Sequence, residues 1–160
     1  MKRTMAITVL LLTLIASAPA AADGAGAISF TQTFHNATMS FGAPNPCTGV
    51  AGTVDLTFNG VAHVTFLTSG VGAGTGWATF TATGSLTVTQ VNGVVFTGNF
   101  TNWDGENMNL NNFAATSILV IHATGSDGTS LSFHDVAHIT VNFTSSGPVV
   151  VVRFDNPTCG

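Results

Sequence analysis

From residue 28 onward, apolar and hydroxyl-bearing side chains take turns along the chain, and this period of two is what most restricts its possible folds. Ile28, Phe30, Gln32 and Phe34 would share one side of an extended strand, with Ser29, Thr31 and Thr33 on the other. The same alternation runs through Trp77-Ala78-Thr79-Phe80-Thr81, Leu86-Thr87-Val88-Thr89 and Val95-Phe96-Thr97-Gly98-Asn99-Phe100. Successive side chains of a strand point to opposite faces, so the pattern describes half-buried strands. Lys, Arg, Glu and Gln, which fill exposed helix faces, are almost absent, and helix is disfavoured nearly everywhere.

Turn signals divide these runs. Asn59-Gly60 and Asn92-Gly93 read as two-residue hairpin turns, and Thr83-Gly84, Ser126-Asp127-Gly128 and Ser146-Gly147-Pro148 punctuate in the same way. Strands are expected at roughly 28–35, 37–41, 53–58, 61–68, 76–83, 85–91, 94–102, 114–124, 129–144 and 148–154. An all-β fold follows: a single antiparallel β-barrel of about 8–10 strands, with a β-sandwich as the alternative. Closure into a barrel would remove edges that a chain so poor in lysine has little means to protect. An internal repeat matches Leu56–Thr65 to Leu131–Thr140, and Phe34–Thr38 echoes its middle. Asn36, Gly60 and Asp135 stand two residues after the shared Phe and predict a tight turn or β-bulge in each copy.

The N-terminus has the three parts of a secretory signal peptide: Met1-Lys2-Arg3, an apolar run from Ala6 to Ala18, and an Ala-rich end before Asp23. The run is shorter than the roughly 20 residues a membrane helix needs. Residues 1–22 are therefore expected to be a signal peptide and 23–160 a single domain, secreted to the extracellular side. Its removal would leave Arg153 as the one Lys or Arg against seven Asp and Glu, a formal charge of −6. That balance excludes nucleic acid and, after cleavage, anionic membrane as partners, since both demand clustered basic residues. In an exported chain the two cysteines, Cys47 and Cys159, are expected to pair. Such a bond would close a loop of about 110 residues, and the chain-entropy model assigns it on the order of 4–5 kcal/mol. The alternative is two free thiols acting as a metal or redox pair.

Candidate chemistry is thin. His122, His134 and His138 fall on one face if the 126–128 turn is a three-residue loop, an arrangement that could hold zinc or copper; a bulge in the repeat would break it. Ser132, His134 and Asp135 alternate between faces and cannot line up as a hydrolase triad. Glu106 is the only glutamate, with Asp104 its nearest acidic neighbour. The segment 102–112 reads as an extended loop in which Trp103 could stack on a sugar ring while Asp104, Asn107 and Asn109 bond its edges. Asp104, Glu106 and Asn109 lack the spacing of an EF-hand. No catalytic residue, metal site or cofactor is assigned.

The motifs Asn45-Pro46-Cys47-Thr48-Gly49, Phe133-His134-Asp135-Val136-Ala137-His138 and the ending Asn156-Pro157-Thr158-Cys159-Gly160 resemble those of a group of small secreted actinobacterial proteins, mostly uncharacterised. The resemblance covers nearly all of 23–160 and implies export, a β-rich domain and paired cysteines; it carries no activity. The leading functional expectation is a non-catalytic secreted module that binds a small apolar molecule or a glycan, either in a barrel mouth or at Trp103, with His63, His134 and His138 as further ligand-contacting residues. The alternatives are a structural or surface-associated protein, and a barrel cyclase or isomerase using one of those histidines as a proton carrier.

Overall fold

The computed structural model describes residues 26–160; the expected signal peptide lies outside the described residues. The fold is all-β. Seven long strands form one antiparallel meander in sequence order: β1 (Ala27–Pro44), β2 (Ala51–Leu67), β3 (Gly76–Gln90), β4 (Val95–Met108), β5 (Asn112–Gly125), β6 (Ser130–Thr144) and β7 (Gly147–Asp155). A two-residue β8 (Thr158–Cys159) pairs with β6 beyond the end of β7. Among the described residues β1 and β7 are not paired, so hydrogen bonding does not close the sheet into the expected barrel.

A covalent bond ties distant parts of the sheet together. Cys47, between β1 and β2, bonds to Cys159 on β8, with the Cα atoms 5.7 Å apart. In a flat sheet β2 and β8 would lie five strand spacings, or about 24 Å, from one another. The sheet must therefore curl, and its inner face becomes the core.

The strands are longer and fewer than the turn signals predict. Asn59-Gly60 and Thr83-Gly84 are not turns but lie mid-strand in β2 and β3, where the ladder continues without a break. Their glycines serve close approach. A Cβ on Gly60 would sit 2.7 Å from the Thr81 carbonyl oxygen, and one on Gly84 would run into the Thr57 carbonyl and Phe58. Neither has a positive φ; both sit on the crowded concave side, where a side chain would push neighbouring strands apart. At the other three signals the chain does turn: Asn92-Gly93 lies in a four-residue connection, 91–94, rather than a two-residue hairpin, 126–128 turns as expected, and the last turn falls at 145–146 with Gly147 already opening β7; φ is positive at Gly93, Gly128 and Gly147. A bulge occurs in only one of the three repeat copies, at Asn36 (φ 49°) between Phe34 and Ala37. Gly60 and Asp135 occupy regular ladder positions.

Cross-strand register sorts the inner face into two halves. Toward the disulfide end, Phe58, Leu86, Val88, Phe96, Phe100, Leu131 and Phe133 form a buried cluster joined by Phe34, Phe80, Leu119 and Ile121. Phe34, Phe58, Phe80 and Phe100 meet with centroids 6.1–6.5 Å apart, mostly edge to face, the geometry aromatic quadrupoles favour. Toward the other end the same phase carries Ala62, Ala78, Ala115, Ser117 and Ala137 together with Asn102, Asp104, Glu106 and Asp135.

Candidate ligand-binding faces

The segment expected to be a loop is mostly strand: β4 continues to Met108, and only 109–111 turn. The physical reason lies in the alternation itself, which runs unbroken from Phe96 and Phe100 through Asn102, Asp104 and Glu106 with acidic groups in place of apolar ones. The loop constellation therefore splits. Asp104 faces inward, whereas Trp103 and Asn107 face outward. Asn109 is occupied as a turn former, its Oδ1 accepting the backbone N–H of Asn111 (2.8 Å) and Asn112 (2.9 Å).

On the outer face the benzo end of the Trp103 indole lies across Gly105, which has no side chain to displace it. The ring remains 39 % exposed, and Trp77, which pairs with Asn107 on the adjoining strand, 42 % exposed. Thr79 and Thr116 flank Gly105, and Thr81 and Ile118 flank Trp103. Further along β4 on the same face, Asn99, His122 and Ser132 form a cross-strand row within a groove of about 330 Å3.

The histidines also face outward. His122, His134 and His138 share the outer face in the expected register, yet among the described residues no three His, Cys, Asp or Glu side chains converge to hold a metal. His63 and His138 occupy matching repeat positions and are held alike. Nδ1 of His63 meets Thr31 Oγ1 at 2.7 Å and its Nε2 meets Thr65 Oγ1 at 3.2 Å. For His138 the partners are Thr116 at 2.7 Å and Thr140 at 3.0 Å, with Phe154 stacked on the ring at 5.6 Å. Both rings are thus engaged on both nitrogens by hydroxyls, the arrangement of structural histidines. His134 is exposed. No histidine lines the inner face, so the proton-carrier arrangement of the cyclase alternative is not assembled there.

Inside, burial and the nearby Asp104 charge push the Glu106 carboxyl above its ordinary value of 4.5. Burial, then the charge of Asp155 and a hydrogen bond with it, raise Asp135 above 3.8. Asn102 Nδ2 donates to Asp104 at 2.5 Å, while Asn102 Oδ1 and Asp135 Oδ1 have no partner among the described residues. An apolar ligand in the barrel mouth would desolvate these carboxylates, which makes that location unfavourable.

Sequence reasoning did not single out two buried polar residues at the disulfide end, Asn45 (1 % exposed) and Gln90 (5 %). Gln90 had a signal: it follows Leu86 and Val88 in the inward phase of β3 and is the polar exception there. Asn45 had only its Asn-Pro turn signature. Comparison with family models, curated proteins and solved structures finds no match for this chain.

Proposed function

We propose that this is an exported, non-catalytic β-module that binds a glycan on its outer face, with Trp103 as the stacking platform. The observation that carries the reading is the Trp103 indole seated over Gly105, exposed, beside Trp77 and among Thr79, Thr81, Asn107 and Thr116. An exposed aromatic ring gives a sugar's apolar face a place to stack, and the surrounding hydroxyls and amide hydrogen-bond its edges. The groove at Asn99, His122 and Ser132 extends the polar surface along β4, four residues or about 13 Å from Trp103.

Export is supported by the tripartite N-terminus and by the Cys47–Cys159 bond, which persists in oxidising compartments. Among the described residues no helix is long and apolar enough to cross a membrane.

The test uses protein secreted from its host, whose N-terminal sequence is expected to begin at Ala21 or Asp23. It is screened against an array of hexose and N-acetylhexosamine oligosaccharides, and hits are titrated by intrinsic tryptophan fluorescence. Saturable binding is expected. Trp103→Ala should weaken it about tenfold, equivalent to 1.4 kcal/mol, and Trp103→Phe should recover part of the loss. Absence of saturable binding across the array, or binding indifferent to Trp103→Ala, overturns the reading.

A further inference from the structure

A second site lies at the disulfide end, remote from the tryptophans. Where the 45–50, 91–94 and 126–129 turns meet, a cavity of about 190 Å3 is lined by Asn45, Gln90, Asp127 and Thr129 with Val50 and Phe96 among its apolar walls. That is room for about six waters at roughly 30 Å3 each.

Two of its lining groups are unsatisfied. Asn45 Oδ1 accepts the backbone N–H of Cys47 (2.9 Å) and Thr48 (3.1 Å), which fixes the orientation of the amide. Its Nδ2 is buried and has no partner, and the same holds for Gln90 Nε2. A buried amide donor left unpaired is costly, and native structures supply such groups with an acceptor. Here two donors on side chains that are 99 % and 95 % buried border one cavity. At its rim Asp127 brings a carboxylate whose Oδ1 accepts from the Thr129 N–H (3.0 Å) and hydroxyl (2.6 Å).

We propose that this cavity binds a small molecule that presents a carbonyl or hydroxyl oxygen to the Asn45 and Gln90 amides and an amine to Asp127. Two N–H donors match the two lone pairs of one carbonyl oxygen. The carboxylate at the rim repels anions and attracts a cation. Val50, Val94, Phe96 and Leu131 give the stem between the two ends an apolar wall. The Cys47–Cys159 bond holds the turn that carries Asn45 against β6, where Cys47 Sγ also lies 3.8 Å from the Ser132 carbonyl. The site is therefore complete only in the oxidised protein.

The probe is 5-aminopentanamide, with pentanamide and pentylamine as controls lacking one end each. Added to isotopically labelled, oxidised protein, 5-aminopentanamide is expected to shift the side-chain amide resonances of Asn45 and Gln90 saturably, with a Kd on the order of 1 mM. Gln90→Met should weaken it at least tenfold while thermal stability is kept or rises, because an unpaired buried donor has been removed. Asp127→Asn should weaken 5-aminopentanamide but leave pentanamide unchanged. Shifts that never saturate would mean the amides are served by water alone, and saturation indifferent to Gln90→Met would place the probe elsewhere; either result overturns the proposal.

Discussion

The two halves of the inner face use one backbone pattern to opposite ends. Near the disulfide, every inward position of β2–β6 that is not glycine or alanine is a large apolar residue, except Gln90 at the end of β3, and the rings of Phe34, Phe58, Phe80 and Phe100 close over one another. Near the other end, the same strands in the same phase turn alanine, serine, Asn102, Asp104, Glu106 and Asp135 inward. Ile28, Phe66 and Met108 at that rim are 37–48 % exposed. The strands run continuously through both halves, so alternation alone dictates that β-structure forms, while the identity of the inward residue dictates where it is held. Large, buried apolar side chains are concentrated at one end, whereas the other combines half-buried Val64, Phe113 and Ile139 with its polar groups.

The largest expected effect tests whether that concentration depends on the covalent tie. The Cys47–Cys159 bond closes a separation of 112 residues, and the chain-entropy model gives about 4.7 kcal/mol for a loop near 100 residues. Replacing both cysteines with serine should lower the unfolding free energy by about 3–5 kcal/mol in urea denaturation. The midpoint should fall and the slope should rise somewhat, since the unfolded chain freed of the cross-link is less compact and exposes more surface. An unchanged midpoint would mean that the packed half holds itself together and the disulfide does nothing for it.

A pair of truncations sharpens the contrast within the chain. Phe100 is 7 % exposed in the centre of the aromatic cluster, and Phe100→Ala should cost about 3–5 kcal/mol through lost transfer energy and the cavity left behind. Phe66, 37 % exposed at the far rim, should cost only about 1 kcal/mol on the same change. Chemical denaturation of the two variants side by side measures the gradient directly, and equal losses would erase the distinction between the halves.

The fold class, the β5–β6 register that puts His122, His134 and His138 on one face given a three-residue turn at 126–128, and the cysteine pairing are legible because each follows from alternation, turn chemistry or redox context. Strand number is not. Gly60 and Gly84 are read from sequence as turns because glycine permits positive φ, but here they are needed for close approach on the concave side, and sequence does not distinguish the two demands. Of the site residues, Trp103 and Asn107 sit four apart on a strand and share a face, whereas Asp104 between them cannot. Continuing the alternation past Phe100 would have shown this, but the polar composition of 102–112 argued for a loop. Gln90 carries a local signal in the inward phase of β3, whereas the burial of Asn45 and the hydroxyl partners of His63 and His138 depend on contacts between distant strands, which no local pattern encodes.

The smallest expected effect probes the polar half alone. Glu106 and Asp135 are both raised above their ordinary values of 4.5 and 3.8, so the folded protein holds protons there more tightly than the unfolded chain. Their stability contribution is fully present below those ordinary values and is lost as pH rises through the higher folded values. Asp127, lowered from 3.8 by its hydrogen bonds with Thr129, works in the opposite sense and loses its contribution only at still lower pH. Melting temperature should therefore rise modestly as pH falls from neutral toward 4.5, then turn down below 3.8 as Asp127 protonates. Glu106→Gln removes the charge beside Asp104 and should stabilise at neutral pH by on the order of 0.5 kcal/mol after solvent screening. It should also flatten the acid-side rise, whereas a core variant such as Phe100→Ala shifts the whole curve and leaves its shape alone. If Glu106→Gln leaves the pH profile untouched, the carboxylates at the open end are solvated like any surface group, and the two halves differ in packing only.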